Sequence, residues 1–283
     1  MKIKTYILAA FFGISLQAVH AQQLPQFSQY MQNMYVLNPA AASLEKDIDI
    51  NLGYRQQWAG FEGAPQTYYA QGSVNLGKKP EPQTVQYSIP ISRRDLFKNV
   101  PVTRYAKHVI SGMAAVDEYG LFKRNSVMAG YSYHLPFGEK YWLALGTSMG
   151  WYGLDFGMNK VILENPTDNT YSDFTAHGTQ SNLFDINAGA YVYSDRFFGG
   201  YSIYQIAQNE INLGNKTSAD NFSEAKLRIH HFATAGYRIS VSPNLDLTPS
   251  AMVKILGPAP FSVDINLKAD LYQKLWLGFS YRN

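Results

Sequence analysis

Cysteine is absent from the chain, which rules out a disulfide framework and leaves no thiol to carry a lipid anchor behind an export signal. Long apolar runs are almost as scarce. The longest, "YILAAFFGISL" (residues 6–16), falls short of the about 20 apolar residues that a membrane helix needs. Charge is thin as well. Only 16% of residues are charged and the net charge is +3, too little to argue for nucleic acid or an acidic partner. Histidine numbers six, and its spacing suits no metal. His230 and His231 are adjacent, so a strand would point them to opposite faces, and His108, His134 and His177 stand on separate elements. Neither a G-x-S-x-G elbow nor an H-E-x-x-H helix occurs. No cofactor or metal is expected, and the chain reads as non-enzymatic. His134 and His231 are the candidate bases if a nucleophile converges on either.

The apolar run follows Lys2 and Lys4 and precedes Val19 and Ala21, which makes residues 1–21 a cleavable secretory signal with Gln22 as the first mature residue. Against the low charge stand 21 Tyr, 16 Phe and 22 Gly, a balance that suits all-β structure and in particular a barrel with aromatic girdles. The stretch "DIDINLGYRQQW" sets Ile48, Ile50, Leu52 and Tyr54 opposite Asp49, Asn51, Gly53 and Arg55, the period of two that marks a strand. The cleanest repeat of it sets Val263, Ile265, Leu267, Ala269 and Leu271 opposite Asp264, Asn266, Lys268 and Asp270. Further strands are expected at about 68–76, 107–117, 125–135, 141–153, 184–193, 197–207, 228–240, 245–255 and 275–281. That makes about eleven, most of them near the roughly 9–11 residues that cross a bilayer on a tilt. Pro249 weakens one, because proline cannot donate to a ladder.

The connections differ in length. Those at 136–140, 194–196, 243–244 and 273–274 are tight, while those at about 154–182 and 208–226 are long and polar. Counted from a periplasmic N-terminus, all four tight turns fall on the periplasmic side, the habit of outer-membrane barrels. One connection on that side is long. Residues 77–106 are proline-rich and carry Arg93, Arg94, Lys98 and Arg104, a candidate periplasmic docking segment. A β-sandwich would alternate too, but on shorter strands with Greek-key connections and a buried apolar face. The expected fold is therefore all-β, a transmembrane antiparallel β-barrel of the outer-membrane type over residues 47–283. Residues 22–46 precede it as an N-terminal periplasmic segment, and outer-membrane lipid is its first partner. Single-chain bacterial barrels have even strand numbers, so about eleven strands lead us to expect a barrel incomplete at its C-terminus and a truncated chain.

The inward positions carry Asp49, Asp185, Asp246, Asp264 and Asp270 against Arg55, Arg228, Arg238, Lys254 and Lys268. Balanced charge points to cross-strand pairs filling the interior, where a selective pore would concentrate one sign. It also disfavours a greasy tunnel.

The stretch "RQQWAGFEGAPQT" (55–67) offers no nucleophile, base or metal set. Gly60 and Gly63 allow backbone angles closed to other residues, Pro65 stiffens the exit, and Glu62 could pair with Arg55 just below. Trp58 and Phe61 supply large apolar area at low entropic cost, as interface anchors do. Two uses fit: a partner-binding element, or an aromatic girdle with a packed turn that holds the barrel rim, since Trp58 falls at the end of a strand where girdles form.

Two blocks resemble a known family. They are Pro25 to Met31 with Asn38 to Ala40, and then Tyr54, Arg55, Gln57, Trp58, Gly60, Phe61, Gly63, Ala64, Pro65 and Thr67. In order and spacing they resemble the PorP/SprF family of outer-membrane proteins of the type IX secretion system. Residues 131–150 and 275–283 are similar to the family as well, so the resemblance spans nearly the whole mature chain. Ala41, Ala42 and Ser43 depart from it, standing where the family commonly has Tyr-Ala-Gly. The resemblance implies an outer-membrane protein needed for secretion or surface attachment of client proteins such as gliding adhesins. It implies as partners the secretion machinery with its periplasmic lipoprotein ring, and the clients themselves. The residues alone leave open a general outer-membrane porin or a channel for hydrophobic substrates.

Overall fold

The structure, a computed structural model, describes residues 30–44, 47–77, 105–138, 140–157, 161, 179–211, 226–257, 260–272 and 274–282. Residues 1–29 and most of the 77–106 connection, with Arg93, Arg94, Lys98 and Arg104, lie outside them.

The alternation seen in the sequence becomes one antiparallel sheet of twelve strands. They are β1 (Ile48–Gln56), β2 (Gln66–Asn75), β3 (Lys107–Tyr119), β4 (Phe122–Phe137), β5 (Tyr141–Phe156) and β6 (Gln180–Tyr193), followed by β7 (Phe197–Tyr204), β8 (His230–Tyr237), β9 (Ile239–Ser242), β10 (Leu245–Leu256), β11 (Ser262–Leu271) and β12 (Leu275–Arg282). Each strand pairs with its neighbour in sequence, except that β8 and β9 both pair with β10. Up-and-down order puts the short connections from β4 to β5, β6 to β7, β9 to β10 and β11 to β12 at one end of the sheet, here the lower end. The β1–β2 loop lies at the upper end. Among the described residues no ladder joins β1 to β12.

The outward face is apolar and the inward face polar. Ile50 and Leu52 are 71% and 77% exposed, and Ile265 is 57% exposed beside Asp264 and Asn266 at 3% and 1%. A soluble protein would reverse this arrangement; a barrel in lipid requires it. Outward aromatics collect at the upper end, with Tyr54 against Tyr68 at 4.8 Å and Tyr119 against Phe122 at 5.4 Å between ring centroids. Among the described residues no helix is long and apolar enough to cross a membrane.

Three details depart from the sequence expectation. The β3–β4 connection is a tight turn at the upper end, because Gly120 takes φ +58° and lets Tyr119 pair directly with Phe122. β4 and β5 consequently run to 16 residues each. The strand expected at 228–240 breaks at Arg238. Pro249 faces this break: Ser250 pairs with Gly236 and Leu247 with Ile239, and nothing between them completes the ladder on that side. A proline with no N–H to donate sits there at little cost, while Arg238 gives its own N–H to the Arg196 carbonyl at 2.6 Å.

The third concerns residues 30–44, expected as a segment ahead of the barrel. They form three short 3-10 turns, Tyr30–Gln32, Met34–Val36 and Pro39–Ala41, packed on the inner face of the sheet. Ala40 and Ala42 are fully buried, and Tyr30 is 1% exposed. Its contacts run from Ser73 on β2 through Val109 on β3, Ala144 on β5 and Phe232 on β8 to Asn266 on β11. One short segment can touch that many strands only if the sheet curls around it.

Candidate functional site

At the upper end, β1 leaves the sheet after Gln56 and returns at Gln66. The loop between is ordered by its own backbone. The Gln57 N–H donates to the Pro65 carbonyl at 2.9 Å, Phe61 to Trp58 at 3.2 Å, and Ala64 to Phe61 at 3.3 Å. A fourth bond, from Gly120 N–H to the Gly63 carbonyl at 2.9 Å, ties the loop to the β3–β4 turn. Gly63 is needed there twice over. Its φ is +71°, and a Cβ on it would sit 3.3 Å from the Gly120 Cα. Gly60 takes φ +100°.

This frame presents Trp58 and Phe61 outward, 73% and 76% exposed, with Glu62 also exposed and Pro65 half-buried. Trp58 itself has φ +50°. The left-handed region costs a bulky side chain about 1–2 kcal/mol, so the fold holds an exposed tryptophan in an unfavourable conformation.

Directly beneath the loop the register places Arg55, Thr67, Asp117 and Arg124 side by side across β1 to β4. Arg55 donates to Thr67 Oγ1 at 3.5 Å, Thr67 donates to Asp117 Oδ1 at 2.6 Å, and Arg124 Nη2 lies 3.4 Å from Asp117 Oδ2. The Arg124 guanidinium also covers the Tyr152 ring at 5.3 Å. Thr67, Asp117 and Arg124 are all buried. The row anchors the base of the loop to four strands. Farther round, Arg282 clasps Asp264 through two bonds of 2.7 and 2.5 Å, and Lys268 reaches Asp270 at 2.9 Å. Charges of both signs do pair on the inner face.

The second site is the seat of the N-terminal segment. The Asn38 side chain donates to the carbonyls of Ala190 on β6 and Tyr201 on β7 at 3.0 and 3.3 Å, and its Oδ1 accepts the Ala40 N–H at 2.9 Å. Ser202 donates to the Leu37 carbonyl, and Tyr204 to that of Tyr35 at 3.3 Å. Tyr30 Oη lies between Asn266 Nδ2 at 2.7 Å and Ser250 Oγ at 3.5 Å. Burial raises the Tyr30 phenol pKa above its ordinary value, partly offset by these two hydrogen bonds, so it keeps its proton. At the other end Ser43 meets Ser73 at 2.9 Å and Lys107 donates to the Leu44 carbonyl at 3.4 Å. The sequence reading missed this seat. Its available signal was glycine at inward mid-strand positions 146 and 189, where another backbone approaches closely.

The histidines divide as adjacency requires: His230 is buried inward and His231 faces out toward Tyr201, 2.7 Å away. His134 bonds Ser132 at 3.0 Å and Tyr193 at 2.9 Å, with both Ser132 and His134 fully buried. Among the described residues no group of three or more His, Asp or Glu is placed to hold a metal.

No curated protein and no solved structure matched the chain. The family model of the type IX secretion system membrane protein PorP/SprF matches residues 19–283, which takes in the N-terminal seat, the Trp58–Phe61 loop and every strand of the sheet. The chain belongs to the PorP/SprF family of type IX secretion system membrane proteins.

Proposed function

We propose that this protein is exported by residues 1–21 to the bacterial outer membrane. There it supports secretion or surface attachment of client proteins, gliding adhesins among them, through contact made by the loop at 57–65. The observation that carries this reading is Trp58: a large apolar side chain that the protein leaves uncovered, kept at φ +50° by an otherwise well-bonded loop. Strain of this kind persists where the surrounding structure enforces it, and it gathers at functional sites. A girdle aromatic at the rim would also stand out, so what favours an interface anchor is the combination of exposure with the strained backbone of Trp58. A non-enzymatic role fits the burial of Ser132 and His134, while His231 faces outward against Tyr201. Phe61→Ala should leave protein level and barrel folding intact while client secretion or surface attachment fails. If folding and secretion fall together, the loop serves architecture alone.

On the opposite side of the membrane, residues 77–106 with Arg93, Arg94, Lys98 and Arg104 would dock the periplasmic lipoprotein ring of the machinery. Support comes from topology. The segment joins β2 to β3 at the end otherwise made of tight turns. In a chain without native cysteine, Lys79→Cys and Lys98→Cys should both resist an impermeant thiol reagent applied to whole cells. Labelling of both from outside would invert the topology and remove the docking role.

A further inference from the structure

We propose that Tyr30–Leu44 is a plug that keeps the barrel closed to solutes, and that the glycine pair Gly146 and Gly189 is the seat on which it closes. This goes beyond the role in secretion and holds whichever client the loop contacts.

The fit is steric first. Gly146 on β5 and Gly189 on β6 are direct register partners. A Cβ on Gly146 would stand 2.5 Å from the Ala40 nitrogen and 2.6 Å from its Cα, and one on Gly189 would stand 2.1 Å from Asn38 Oδ1. No side chain fits at either position while Asn38-Pro39-Ala40 is in place. The two wall positions are bare exactly where the segment needs room, which a wall shaped for open water would not require. Polar contacts then fix the segment at three separated points: Tyr30 on β10 and β11, Asn38 on β6 and β7, and Ser43 on β2. Between Tyr35–Leu37 and the upper wall at Arg124, Tyr152 and Asp185 lies a cavity of about 80 Å³, room for a few waters but not for a stream of hydrated solute.

Two readouts on the full-length protein test this. Ser43 and Ser73 Oγ are 2.9 Å apart, and the chain has no cysteine of its own. A Ser43→Cys/Ser73→Cys pair should therefore oxidise to a cross-link visible as a gel shift, and the reconstituted protein should show no ion steps in a planar bilayer. Adding Gly146→Leu should abolish the cross-link and bring stepwise conductance. A parent that conducts as freely as the Gly146→Leu variant overturns the proposal, as does a Gly146→Leu variant that loses the cross-link yet stays closed. Should Gly146→Leu not fold, deletion of residues 30–44 takes its place, since it leaves every strand intact, and it should conduct. A deletion that stays closed, or that cannot form the barrel at all, shows the segment to be something other than a plug.

Discussion

Leu52→Arg and Ile265→Arg should each prevent the protein from accumulating as a folded barrel, while Asn51→Arg should assemble close to the parent level. Leu52 and Ile265 lie mid-strand on the outward face, 77% and 57% exposed. Arginine at the hydrocarbon midplane costs about 2–4 kcal/mol, a large share of the stability of such a barrel. Asn51 differs from Leu52 by one residue and faces inward. Its amide donates to Asp49 Oδ2 at 3.0 Å and Gln71 Oε1 at 2.7 Å, so an arginine there meets a carboxylate at once. Heat-modifiable mobility of membrane fractions separates folded from unfolded protein in all three. Equal accumulation would mean that the faces are assigned the wrong way round. Asn266, the inward neighbour of Ile265, is no neutral comparison, because it donates to Tyr30 and is 1% exposed.

The second large effect is expected at Asp117. Removing its carboxylate leaves Arg124, about as buried as its partner, without an opposite charge. Breaking one side of a buried pair costs about 3–5 kcal/mol, whereas replacing both by apolar groups of similar volume is often near neutral. Asp117→Ala should lower the midpoint of urea unfolding in detergent sharply, and Asp117→Leu/Arg124→Met should recover much of the loss. The Thr67 hydroxyl, which donates to Asp117 at 2.6 Å, loses its acceptor in both variants, so recovery stays incomplete. A double variant no more stable than the single one would show that the two charges do not stabilise each other.

That row also shows where the sequence stopped being legible. Alternation placed every long strand and the correct face of Ile265, Leu52 and Asp185, because a period of two survives any error in strand length. It did not find Asp117 and Arg124. The strands expected at 107–117 and 125–135 end at or just short of these residues, while β3 and β4 run on to Tyr119 and back to Phe122. Pairing depends on register, and register here is set by the turn at Gly120, which a single glycine among many does not announce. Pro249 was the opposite case. Its missing donor is written in the residue type, and the ladder breaks where it stands. The loop at 57–65 was legible as composition only. Its glycines, proline and aromatics could be read, whereas the strained backbone of Trp58 could not. Least legible was the seat of residues 30–44. Short 3-10 turns carry no periodicity, and three successive alanines, Ala40 to Ala42, give no hint that they are buried or that Ala40 lies against Gly146.

The position of that segment also sets an order of events in assembly. Tyr30 stands near the start of the chain, yet its hydroxyl bonds Asn266, 236 positions later. Contacts of such separation must wait for nearly the entire polypeptide and are slow to form. The N-terminal segment is therefore made early and gripped late: its bond to β11 can close only once the strands at the far end of the chain are in place.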